Sequence, residues 1–131
     1  MPQDSATNPF DLASIPGLPH EALPVLRRLW DQPPEPPEAL ADAVRSHAKA
    51  FDDLAKRNEF LDPQEARSVA ATCLALIEKL QPSTPALPRK LTALAVRYFV
   101  LEADADSDFD IAGLDDDIAV VQAIASYLES L

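Results

Sequence analysis

The chain has 131 residues, a formal net charge of −11, 47% hydrophobic residues, two glycines, 13 prolines and one cysteine. That length suits a single domain, which buries roughly two-thirds of its unfolded surface and needs no disulfide or metal staple. The acidic balance argues against nucleic acid and anionic membrane surfaces, which call for concentrated Lys and Arg; no run of about 18 apolar residues offers a membrane insertion.

Nine of the 13 prolines fall in the first 37 residues. Residues 1–18 form a proline-rich N-terminal arm, expected to be an irregular or disordered lead-in. They carry neither a basic start nor an apolar core, so no signal peptide is expected. Residues 19–131 are expected to form one helical domain. Its first element is a short helix over about 19–30, with Leu23, Leu26, Leu29 and Trp30 on one face and Pro24 tolerable only in the first turn. The DQPPEPPE stretch follows as an extended connector. Trp30, beside it, is suited to clamp the arm onto the bundle, or to anchor a partner.

Apolar residues at three- and four-residue spacing predict a long helix over about 37–60: Leu40, Val44, His47/Ala48, Phe51, Leu54/Ala55. Its outer face carries mixed charges, with Asp52 and Lys56 as a favourable i,i+4 pair. Asp62-Pro63-Gln64-Glu65 has the pattern of a helix start, with Asp62 as cap and Glu65 completing a capping box. The helix it opens is expected to end near Leu80, with Val69, Ala70, Cys73, Leu76, Ile77 and Leu80 inward. A fourth long helix begins at about 87–88 and ends near Ala103, burying Leu91, Leu94, Ala95, Tyr98, Phe99 and Leu101. The last runs from about Asp115 to the C-terminus, with Ile118, Val121, Ala125 and Leu128 inward. Few glycines and abundant Ala and Leu agree with an all-α fold: a bundle of four longer helices plus one short N-terminal helix.

Charge is not spread evenly over these elements. Residues 98–131 hold nine carboxylates and no Lys or Arg, and eight of the nine fall in EADADSDFDIAGLDDD, residues 102–117. The other 97 residues are nearly balanced, with 11 basic and 13 acidic groups. Two like charges ~6 Å apart at an effective dielectric of roughly 20–40 repel by about 1–3 kcal/mol. Water, helix N-termini, a cation or a basic partner must offset that. Asp115, Asp116 and Asp117 would open the last helix, where an N-cap carboxylate and the helix dipole favour negative charge. The rest of the segment would present carboxylates to a protein partner with a basic surface.

The stretch YFVLEADADSDFDIAGLDDDIAVV, residues 98–121, resembles the signature of the YkvA-like family, a bacterial domain of unknown function; the similar part spans about 88–128. Tyr98 stands as the helix-end aromatic. Asp104 and Asp108 match the two aspartates of a proline-containing motif, and Gly113 with Asp116–Asp117 matches its closing element. Glu102 and Ser107 stand where the family usually has proline, and the loop before Gly113 is one residue short. The resemblance implies a small helical domain with no established activity.

The same segment also reads as a divalent-cation loop. Asp104, Asp106, Asp108 and Asp110 alternate, Ile111 is the apolar eighth residue, and Asp115 is the twelfth, as in a calcium loop. Phe109 stands where a tight turn wants glycine, and Asp115 is one methylene shorter than the usual Glu. Hard carboxylate oxygens suit Ca²⁺ or Mg²⁺ and not Zn²⁺.

No other residues form a chemical pattern. His20 and His47 are far apart, and no Ser/His/Asp order, Cys–His set or glycine-rich phosphate loop is visible. No catalytic residue and no cofactor other than Ca²⁺ or Mg²⁺ is therefore expected. Cys73 lies in the apolar run VAATCLALI and reads as a packing residue; a lone cysteine fits a reducing, cytoplasmic compartment. Arg27–Arg28 and Arg89–Lys90 are small basic spots suited to solubility or to ion pairs with the acidic segment.

Overall fold

Proline marks the start of three of the five α-helices. Pro24 is the second residue of α1 (Leu23–Trp30), and Pro37 and Pro63 open α2 (Pro37–Ala55) and α3 (Pro63–Glu78). A first-turn N–H has no helical acceptor, so proline costs nothing there and its fixed φ favours the helix. α4 (Ala86–Leu101) and α5 (Ile111–Ser130) complete the set. The computed structural model describes residues 11–33, 35–57, 59, 63–101 and 111–131, and the side chains of 101 and 111–117 lie outside that description. Among the described residues there is no strand, and the fold is an all-α bundle of four longer helices and one short one.

α4 is the centre of the bundle and packs against each of the other four helices. Every residue from 91 to 96 is buried, as are Tyr98 and Phe99. No charge falls between Lys90 and Arg97. A helix apolar all round is one surrounded by protein, and this one is. Around it α2 packs on α3, and α3 on α5. Leu26, Val44, Cys73, Leu94, Phe99, Val120 and Ile124 meet in one continuous core. Phe51 and Ala66, with Leu54, Ala55 and Ile118 partly buried against them, extend the packing between α2, α3 and α5.

Several expectations are corrected. α2 ends at Ala55 rather than near 60, because its last turn tightens: Arg57 N–H donates to the Leu54 carbonyl at 3.0 Å. Asp52 does not pair with Lys56. It reaches across to α3, where Arg67 Nη2 lies 3.0 Å from its Oδ2, and Lys56 pairs with Asp53 at 3.8 Å. Both are near-surface pairs that add little stability. α5 buries Val120, Val121, Ala123 and Ile124, while Ile118, Ala125 and Leu128 are only partly covered. The buried stripe is rotated because the helix packs on both α3 and α4. Asp62, the expected cap of α3, lies outside the described residues.

The described part of the N-terminal arm is also not irregular. Asp11 caps a 3₁₀ turn, Leu12–Ser14, by accepting from Ala13 N–H at 3.0 Å, and Ser14 Oγ donates back to the Asp11 carbonyl at 2.7 Å. Leu12 and Ile15 enter the main core. Gly17 then adopts φ +89°, a left-handed turn that a side chain resists, and a Cβ there would meet the Ala123 Cβ of α5 at 3.6 Å. A second 3₁₀ turn, His20–Ala22, runs directly into α1. From Asp11 on, the arm is a strap packed on α1 and passing beside α5.

Candidate functional site: the acidic junction and a basic cleft

The acidic segment is the connection between two core helices. α4 ends at Leu101, α5 begins at Ile111, and the two pack on each other. Glu102, Asp104, Asp106, Asp108 and Asp110 lie outside the described residues. Gly113, Asp115, Asp116 and Asp117 lie on the backbone of α5. The helix therefore opens four residues earlier than expected, and Asp115 is its fifth residue rather than its cap. Ile-Ala-Gly-Leu contains no strong breaker; Gly113 costs about 1 kcal/mol relative to alanine, which tertiary packing overrides. The dipole's preference for negative charge fades beyond the first turn, so capping explains less of the aspartate run than the sequence suggested. Tyr98, the helix-end aromatic, is 4% exposed and belongs to the core.

The remaining sequence candidates are structural. His20 is exposed, whereas His47 is buried and meets Phe99 edge-on, with ring centroids 4.4 Å apart at 84°. Cys73 is fully buried. Among the described residues no three His, Cys, Asp or Glu side chains converge as a metal site. Within the same residues no helix is long and apolar enough to cross a membrane.

One site escaped the sequence reading. A cleft of about 460 Å³ opens between the proline connector and α4, and it is lined by Trp30, Glu35, Arg89, Lys90 and Arg97 among apolar neighbours. Arg89 serves the α3–α4 turn: its Nε donates to the Thr84 carbonyl at 2.9 Å and its Nη2 to the Gln81 carbonyl. Lys90 Nζ sits 4.2 Å from the centroid of the Trp30 ring, a cation–π contact. Arg97, only 11% exposed, ties the connector to α4 by donating from Nη2 to the Pro33 carbonyl, with Glu35 Oε2 at 3.4 Å. Its Nε is buried without a hydrogen-bond partner. Trp30, the last residue of α1, is thus in contact with α4 through Lys90. The signal was present in the spacing: Lys90 and Arg97 are seven residues apart, two turns of one helix face.

Comparison of the chain with known protein families, curated proteins and solved structures finds no match.

Proposed function

We propose that this protein is a small helical interaction module that presents the acidic 102–117 segment to a basic surface on a protein partner. One observation carries the reading. Eight carboxylates with no Lys or Arg among them are placed at the junction of two helices that pack on each other in the core. A packed platform holds the two ends of the segment, and its concentrated charge speeds encounter with a cationic partner. The proposal assigns no reaction. It includes kinship with the YkvA-like family, supported by Tyr98, Asp104, Asp108, Gly113 and Asp116–Asp117, and a cytoplasmic location, supported by the lone cysteine.

An oligolysine peptide serves as the test ligand. Replacing Asp104, Asp106, Asp108 and Asp110 with Asn weakens its binding at least about tenfold, roughly 1.4 kcal/mol. A charge-matched control replaces the exposed Glu21, Asp42, Asp53 and Glu78 with their amides; it has the same net charge as the first variant but keeps the 102–117 carboxylates, so it weakens binding less than about threefold. Equal losses would mean that net charge alone attracts the peptide.

A second reading keeps the same segment and makes it a Ca²⁺ or Mg²⁺ site, with Asp104, Asp106, Asp108, Asp110 and Asp115 as ligands. What favours it is that the alternating aspartates connect two helices, as calcium loops do. The two readings separate in a thermal melt of chelator-treated protein. A cation at about a hundred times its Kd adds about 2.7 kcal/mol, a shift of several degrees. The partner-binding reading predicts no shift. A clear shift that Asp104→Asn and Asp108→Asn abolish would replace it.

A further inference from the structure

We propose that the cleft between the proline connector and α4 binds a small organic carboxylate with a flat apolar body. Its size, about 460 Å³, lies within the range of small-molecule sites, roughly 300–1,000 Å³. Three cations line it, Arg89, Lys90 and Arg97, against two carboxylates, Asp31 and Glu35. In a chain of net charge −11 this is a local excess of one positive charge, which a monoanion balances and a phosphate dianion overshoots.

Arg97 is the group that asks for the ligand. A guanidinium this buried needs its charge paired and its donors filled. Its Nε has no hydrogen-bond partner, and the Glu35 oxygen at 3.4 Å is well beyond the ~2.7–2.9 Å of a strong charge-assisted bond. Arginine's planar fork suits a carboxylate, which would pair with the guanidinium where Arg97 lines the cleft. Arg89 is already committed to the Gln81 and Thr84 carbonyls. Lys90 is exposed, and among the described residues it makes no salt bridge, so its charge is available to the same anion. Apart from Gln32, the remaining wall is apolar, with Leu29, Leu40, Ala93 and the flat Trp30 indole in its lining. Such a wall selects a flat hydrocarbon body.

Trp30 is the chain's single tryptophan, so its indole N–H resonance reports on the cleft directly. The full-length isotope-labelled protein is titrated with naphthoate, with its neutral isostere naphthamide, and with naphthyl phosphate. Naphthoate is expected to shift the Trp30 indole and the backbone amides of residues 89–97 and to saturate with a Kd below about 1 mM. Naphthamide and naphthyl phosphate bind at least about tenfold more weakly. Arg97→Gln removes naphthoate binding. Should that variant fail to fold, the exposed Lys90→Glu still lowers naphthoate affinity about tenfold while leaving the rest of the spectrum in place. Equal binding of naphthoate and naphthamide, tighter binding of naphthyl phosphate, or no saturation by about 5 mM would overturn the proposal.

Discussion

Replacing Phe99 with alanine is expected to lower the unfolding free energy by about 3–5 kcal/mol, a large share of the ~5–15 kcal/mol that a domain of this size possesses. Among the described residues Phe99 is the largest fully buried side chain, and it sits on α4, which packs against all four other helices. Its removal leaves a cavity that five packed helices cannot easily close, and it takes away the edge contact with His47. Denaturant unfolding checks it: the midpoint falls sharply while the slope stays near the parent value. Phe99→Leu keeps most of the apolar volume and costs about 1–2 kcal/mol. Leu131→Ala, at the exposed end of the chain, changes stability by less than about 0.5 kcal/mol. A Phe99→Ala cost as small as that would mean that α4 is not the centre of the core.

The second large effect concerns the N-terminal strap. Leu12 and Ile15 are 4% and 3% exposed, so Leu12→Ala with Ile15→Ala is expected to cost about 4–5 kcal/mol together. The figure sits at the lower end for two buried aliphatics because a terminal strap relaxes more readily than a helix. A detached lead-in would lose less than about 0.5 kcal/mol. Hydrogen exchange adds a second readout. In the parent the amides of α1 are protected with the core, and in the double variant they exchange through local opening before global unfolding.

The residues themselves explain what the sequence made legible. α2 was readable because its apolar stripe is narrow and its opposite face charged, so one period dominates. α4 was readable as a helix but not as the central one. Its buried stretch includes Thr92, Ala93 and Val96, which a one-face pattern places outside, and only the absence of charge between Lys90 and Arg97 hints at full burial. The start of α5 was misplaced because Gly113 resembles a stop and Asp115–Asp117 a cap. Packing against α3 and α4 carries the helix through both. The strap was missed because proline suggests disorder, whereas Leu12 and Ile15 are too few to show a period and are buried through tertiary contact. The basic cleft assembles Trp30, Glu35, Lys90 and Arg97 from two distant parts of the chain; the two-turn spacing joins Lys90 to Arg97, but no local pattern joins that pair to Trp30 and Glu35.

Of the candidate site, the chain shows plainly where charge is concentrated and between which helices. Asp104, Asp106, Asp108 and Asp110 carry the alternating pattern, and the helices on either side carry the platform. A cation, a basic surface and plain solvent all satisfy such a pattern, because each offsets like-charge repulsion in the same way. The partner's chemistry, not further patterning, separates them.

The most direct measurement is a backbone-amide NMR titration of the full chain with oligolysine at low salt, repeated at high salt. Shifts are expected to be confined to residues 101–118, with amides on the charged face of α2 unmoved, and to be lost as salt screens the attraction. Shifts spread evenly over all exposed carboxylates, or centred on Asp42 and Asp53 instead, would contradict the claim that the junction between α4 and α5 is the interaction surface.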